Sequence, residues 1–290
     1  SSWIFGENSG GAEYGRTPIS QVEQNYFIGS SVYNYGSIVQ TNVVSNGNFT
    51  GPTAISSSTA GSTIASDSTE VIESLNPVSF SVGNYTGSVT VTSMGDTLGS
   101  GNFDDNTYLR NFEITNDIYS LDGLGNHPAD YEAIGSLGSN SWADASDGLV
   151  CGTYYPLRQE EILNSVRAYI TSSTVAQSEV ILYILDSLSF TSGLFSNSVF
   201  TSELYTVTVQ DVNNGYIDIP VANNIGWDPI NNTSTWENIT LGIGGYYAAI
   251  ELYSGGNTYD IRILDDNTVG QPAWSSAIWY PGDQAYSNGN

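Results

Sequence analysis

Short runs of alternating apolar and polar residues recur along this chain. Gly87-Ser-Val-Thr-Val-Thr, Tyr205-Thr-Val-Thr-Val and Ile217-Asp-Ile each place every second side chain on one face. That is the period of a half-buried antiparallel strand. Val180-Ile-Leu-Tyr-Ile-Leu is apolar throughout, as a central strand covered on both faces requires. Strands are predicted over 27–35, 38–44, 78–82, 88–94 and 108–115 in the first part. In the second they are predicted over 162–171, 180–186, 204–209, 216–221, 239–243, 246–253, 259–264 and 277–280. The Ser, Thr, Ala and Gly of 53–68 read as a long loop or edge region. Asn213-Asn-Gly and Ser254-Gly-Gly-Asn read as turns, since those residues tolerate positive φ. No helical pattern of useful length competes, and Gln159-Glu-Glu-Ile-Leu has β-branched flanks that favour a strand.

The 290 residues suit two β domains of roughly 100–150 residues each. The pattern predicts an all-β chain of two tandem β-sandwich domains, the first immunoglobulin-like and the second jelly-roll-like. Residues 1–14 form an extended N-terminal segment, 15–116 the first sandwich, 117–140 a Gly- and Pro-containing linker, and 141–290 the second sandwich. The tail of the linker is a candidate edge strand. No repeat of fixed period exists, which excludes a solenoid or propeller. The opening residues carry no basic and apolar leader, the look expected of a mature, processed or excised chain.

Charge narrows the partners. Thirty acidic residues stand against five arginines and no lysine, giving a net charge of −25. Nucleic acid is excluded, because phosphate binding needs clustered cations, and so is docking to an anionic membrane. No run of about 18 apolar residues exists to insert into a bilayer. Cys151 is the sole cysteine and reads as a buried strand residue. His127, the sole histidine, sits before Pro128 in the linker, out of reach of a nucleophile–base pairing. Glu160 and Glu161, as neighbours on a strand, point to opposite faces and do not make the paired carboxylates of a glycosidase. The chain therefore reads as non-enzymatic.

Hard oxygen donors are plentiful, and calcium is the one cofactor they suggest, at Asp104, Asp105 and Asn106 and at Asp144 and Asp147. Asp265-Asp266-Asn267 reads as a further acidic turn. Six tryptophans and twenty tyrosines could offer rings to sugars; Trp227, Trp236, Trp274 and Trp279 fall in the last third. Trp3, Ile4 and Phe5 form an apolar cluster ahead of Gly6, Gly10 and Gly11. They either pack on their own domain, continue a preceding domain, or serve strand addition between copies.

Three stretches carry a family resemblance: Glu13-Tyr-Gly-Arg-Thr-Pro-Ile, Val32-Tyr-Asn-Tyr-Gly-Ser and Asp105-Asn-Thr-Tyr-Leu-Arg-Asn-Phe-Glu-Ile-Thr-Asn-Asp-Ile-Tyr. They resemble the CARDB-like, immunoglobulin-type modules of secreted Bacteroidetes surface proteins. Leu149-Val-Cys-Gly-Thr-Tyr-Tyr-Pro-Leu through Gly244-Gly-Tyr-Tyr-Ala-Ala-Ile is similar to the jelly-roll module that follows them. The resemblance implies type IX secretion, an extracellular or cell-surface location, and no catalytic residues. It also implies O-glycans at Asp-Ser/Thr sites, here Ser68, Thr97 and Ser187. The expected function is a structural or adhesive surface protein, as a filament subunit or adhesin segment, with itself, other surface proteins or glycans as partners. The alternative is a glycan-binding accessory region of a secreted hydrolase.

Overall fold

The computed structural model describes residues 2–5, 15–22, 26–95, 106–123, 134–141, 147–266, 274–280 and 285–287, with backbone alone for the first and last of these segments. The chain is all-β and divides into two compact units, Ser1–Glu132 with Thr268–Pro272 and Ala133–Asn267 with Ala273–Asn290.

The first unit holds β1 (Ser2–Phe5), β2 (Arg16–Pro18), β3 (Ile28–Asn34), β4 (Gln40–Thr50), β5 (Ile55–Ser58), β6 (Ser62–Ile64), β7 (Ser68–Glu73), β8 (Gly83–Thr92) and β9 (Thr107–Thr115). One sheet runs β2-β9-β8-β4-β5, with β6 also on β4; the other runs β1-β3-β7. Their inner faces meet where alternation places apolar side chains. Ile28 packs with Phe49, Tyr85, Val89, Phe112 and Ile114, and Val32 and Ile72 pack with Val43, Ile64 and Val91. Tyr85 and Phe112 stack with ring centroids 5.0 Å apart, and Phe80 meets both edge-on.

Of the two readings of 53–68, the edge region holds: Ile55 and Ile64 reach the core and carry β5 and β6 onto β4, with β5 at the edge of its sheet. Residues 78–82 make no strand, only a bridge from Val78 to Tyr26, and Phe80 serves the core from irregular backbone. The extended N-terminal segment carries β1, which lies antiparallel on the edge of β3, Trp3 opposite Ser30.

The second unit holds β10 (Ile134–Gly138), β11 (Leu149–Leu157), β12 (Glu161–Leu163), β13 (Ser165–Tyr169), β14 (Glu179–Asp186), α1 (Ser187–Thr191), β15 (Phe200–Thr201), β16 (Tyr205–Thr206), α2 (Val209–Asn214), β17 (Tyr216–Pro220), β18 (Ala222–Asp228), β19 (Thr233–Leu241), β20 (Gly244–Tyr253), β21 (Arg262–Asp266), β22 (Ser276–Trp279) and β23 (Ala285–Ser287). The main sheet runs β15-β14-β20-β11-β22-β23, with β16 also on β14. Facing it are β13–β17, β10–β21 and the three-stranded β12-β19-β18. Val180, Leu182 and Ile184 of β14 bury one face against Ile217, Ile219, Ile239 and Leu241. On the other face Leu185, Val150 and Tyr247 are covered by Phe190 of α1, whose ring stacks on Tyr247 at 3.9 Å. The continuous apolar run 180–185 thus serves both faces of its sheet.

Here too the sequence pattern needs correction. Residues 162–171 split into β12 and β13, which pair with β19 and β17 respectively. Strand β16 stops at Thr206, because Thr208 and Asp211 form a capping box that starts α2. Asp265 and Asp266 lie in β21 opposite Gly135 and Ile134, not in a turn. Strand β10 is the edge strand expected at the tail of the 117–140 stretch, and a Ser120–Arg16 bridge holds the other end. No helix among the described residues is long and apolar enough to cross a membrane.

Candidate functional site

Strand β19 changes character along its length. At its inner end Ile239 and Leu241 are buried in the core and pair with β12. From Asn238 outward its partner is β18, and the two strands run on as a ribbon whose side chains are nearly all exposed. The ribbon closes at Asp228. Its carboxylate accepts the Ile230 N–H at 2.9 Å, the Asn231 N–H at 3.3 Å and the Asn231 side-chain amide at 2.7 Å. These bonds, the side-chain one foremost, hold its pKa below the ordinary carboxylate value. Asn232 then takes the left-handed backbone, φ 53°, that asparagine tolerates.

One extra residue sets which way the rings point. Asn224 pairs with Trp236, but Gly226 already pairs with Thr235, so Ile225 is a bulge. The Asn224 side chain pins it, accepting the Gly226 N–H at 3.1 Å. Beyond the bulge Trp227 stands opposite Ser234. In an unbulged ladder it would stand opposite Thr233, on the reverse face. Trp227 and Trp236 therefore share one face, as diagonal neighbours about 7–8 Å apart, 57% and 54% exposed. Asn224, Ser234 and Asn238 flank them on that face. Asp228 and Glu237, the ribbon's acids, fall on the reverse face with Asn223, Thr233 and Thr235. The ring-bearing face carries no charge.

No family model matches the chain, and no curated protein matches it significantly.

Trp274 and Trp279 do different work. The Trp279 ring N–H donates to the Phe190 carbonyl at 2.9 Å and its ring packs on Phe195. Trp274 is 41% exposed, with its carbonyl accepting the Tyr247 hydroxyl.

The residues singled out from the sequence are dispersed. Asp104, Asp105, Asp144, Thr97 and His127 lie outside the described residues, and Asn106 immediately precedes β9. Asp147 binds a turn. One oxygen accepts the Ser254 N–H at 2.6 Å and the Ser254 hydroxyl at 2.7 Å, and the other accepts the Gly256 N–H at 3.1 Å. Burial would raise its pKa, but the Ser254, Gly256 and Gly255 donors outweigh that and lower it. Its two oxygens thus tie the start of β11 to the turn that follows β20. Among the described residues, no three His, Cys, Asp or Glu side chains gather as metal ligands would.

Trp3, Ile4 and Phe5 lie in β1, paired with β3 of their own chain. Ser68 opens β7 opposite Asn34. Ser187 is exposed at the start of α1, which Asp186 caps through the Ser189 N–H at 2.8 Å. Cys151 is partly buried on β11 against the core, and burial, with Asp265 nearby, pushes its thiol up to about 12.

Proposed function

We propose that this chain is a non-catalytic, exported surface protein that works by adhesion. The observation that carries the reading is the projecting β18–β19 ribbon, which holds two aromatic rings in solvent from an anchored strand. Exposed apolar groups of this kind mark contact surfaces. The acidic residues support it. Asp147, Asp186 and Asp228, whose pKa values are lowered, are each committed to holding a turn or helix start by hydrogen bonds to backbone N–H groups. The resemblance to type IX-secreted Bacteroidetes modules agrees with an extracellular location. A glycan-binding accessory region of a secreted hydrolase would use the same ribbon. Beads coated with the chain should adhere to surfaces coated with extracellular matrix and leave that matrix chemically unchanged by chromatography. Absence of adhesion, or steady breakdown of the matrix, would overturn the reading.

A filament subunit is the second reading, and β1 favours it. A strand at the start of the chain covers the open edge of β3, an edge that β1 of a second copy could cover equally well. Removing residues 1–11 should abolish any polymer seen by sedimentation at high salt; an unaltered polymer would count against it.

A further inference from the structure

We propose that the Trp227–Trp236 face of the β18–β19 ribbon binds a neutral polysaccharide chain, with sugar rings stacked on the two indoles and their hydroxyls bonded to Asn224, Ser234 and Asn238. The proposal rests on the adhesive reading and supplies its ligand.

Three observations select this partner. The first is exposure. More than half of each tryptophan's surface faces solvent, so neither ring is accounted for by packing within the chain. The second is charge. The chain carries −25, which repels anionic polymers and further copies of itself. A cationic partner would be drawn to the reverse face, where Asp228 and Glu237 lie. The ring-bearing face offers only indoles, amides and a hydroxyl, which suit an uncharged, hydroxyl-rich chain.

The third is size. Seven residues at about 3.3 Å each and two strands at about 4.8 Å give a face of roughly 220 Å². A stable protein interface takes about 800 Å² from each partner. The ribbon face is too small for a second copy, whereas a saccharide needs only a row of rings. The bulge at Ile225 is what makes a row. It brings Trp227 to the side of Trp236, and the ladder fixes both, so little order has to be created on binding.

The test is native electrophoresis in gels containing hydroxyethyl cellulose, xyloglucan, galactomannan or laminarin, toward which the high negative charge drives the protein. At least one polysaccharide should retard it. Trp227→Ala and Trp236→Ala should each weaken that retention about tenfold, as loss of a central aromatic anchor does. Deleting Ile225 keeps both tryptophans but returns Trp227 to the reverse face, and it should weaken retention as much. Glu237→Gln, on the reverse face, should leave it unchanged. The ribbon lies outside both cores, so melting temperatures close to the parent's will show that each variant is folded.

Adhesion to matrix without retardation by any of the polysaccharides would overturn the ligand while leaving the adhesive reading standing. Retardation indifferent to both tryptophans and to Ile225 would overturn the site. Tryptophan variants that change sedimentation but not retention would assign the face to a second copy instead. Failure to adhere to any matrix would remove the adhesive reading itself.

Discussion

Asp147 fixes a turn 107 residues away in sequence. The backbone there runs through Gly255, Gly256 and Asn257 at φ 59°, 68° and 69°, a left-handed series that leaves amide groups needing an acceptor. Replacing Asp147 with Ala removes that acceptor from the buried Ser254 N–H and hydroxyl, so the loss should be about 1–3 kcal/mol, measurable as a lower melting temperature. Acid should act in the same direction. Asp147, Asp186 and Asp228 are all lowered in the folded chain, so the unfolded chain binds protons first. Their contribution is present above the unfolded value near pH 4 and is lost as pH falls through the lower folded values. Melting temperatures between pH 6 and pH 2 should therefore drop below about pH 4; a flat profile would contradict the assignment. The turn at 254–257 was legible in its residue types. Its anchor was not, since no local pattern reports a partner so distant in sequence.

At the level of elements, alternation located the strands that have one face buried, such as β8, β9 and β17, because burial is what writes the pattern. The ribbon left no such record. Both its faces are wet, so 222–238 reads as polar loop with stray aromatics, and the sequence placed Trp227 and Trp236 without revealing that they share a face. That depends on the register, which the bulge shifts by one residue. Junctions were hidden for a related reason: β12 and β13 read as one strand because a change of partner does not alter composition. Packing between elements makes its own prediction. Gly152 of β11 sits beneath α1, where an added Cβ would meet two Phe190 ring atoms at 2.7 Å. Because Phe190 stacks on Tyr247 it has little room to yield, and Gly152→Ala should cost about 1–3 kcal/mol. Chemical denaturation should show that loss, and Phe190→Leu in the same chain should recover part of it. No recovery would mean the ring is not what the methyl strikes.

For the whole molecule, charge and composition set the terms of assembly. A chain with no lysine cannot form a lysine–asparagine isopeptide bond, so any polymer of it is held without that linkage. Such a polymer is non-covalent or joined by other chemistry, and the intact mass of its chains should show no loss of ammonia or water. A loss of either through a side-chain cross-link would refute this. Assembly should also rise with salt, which shortens the reach of repulsion between −25 copies to a few ångströms near 1 M. Strand β19 adds a mechanical consequence. It passes without a break from Trp236 in the ribbon to Leu241 in the core, so tension applied at the rings enters the molecule along the strand axis. The hydrogen bonds between Ile239–Leu241 and β12 would then bear that load together, in shear, instead of parting one after another like a zip. Resistance to pulling is a matter of unfolding rate, and this load path places the hold at Ile239 and Leu241, inside the core.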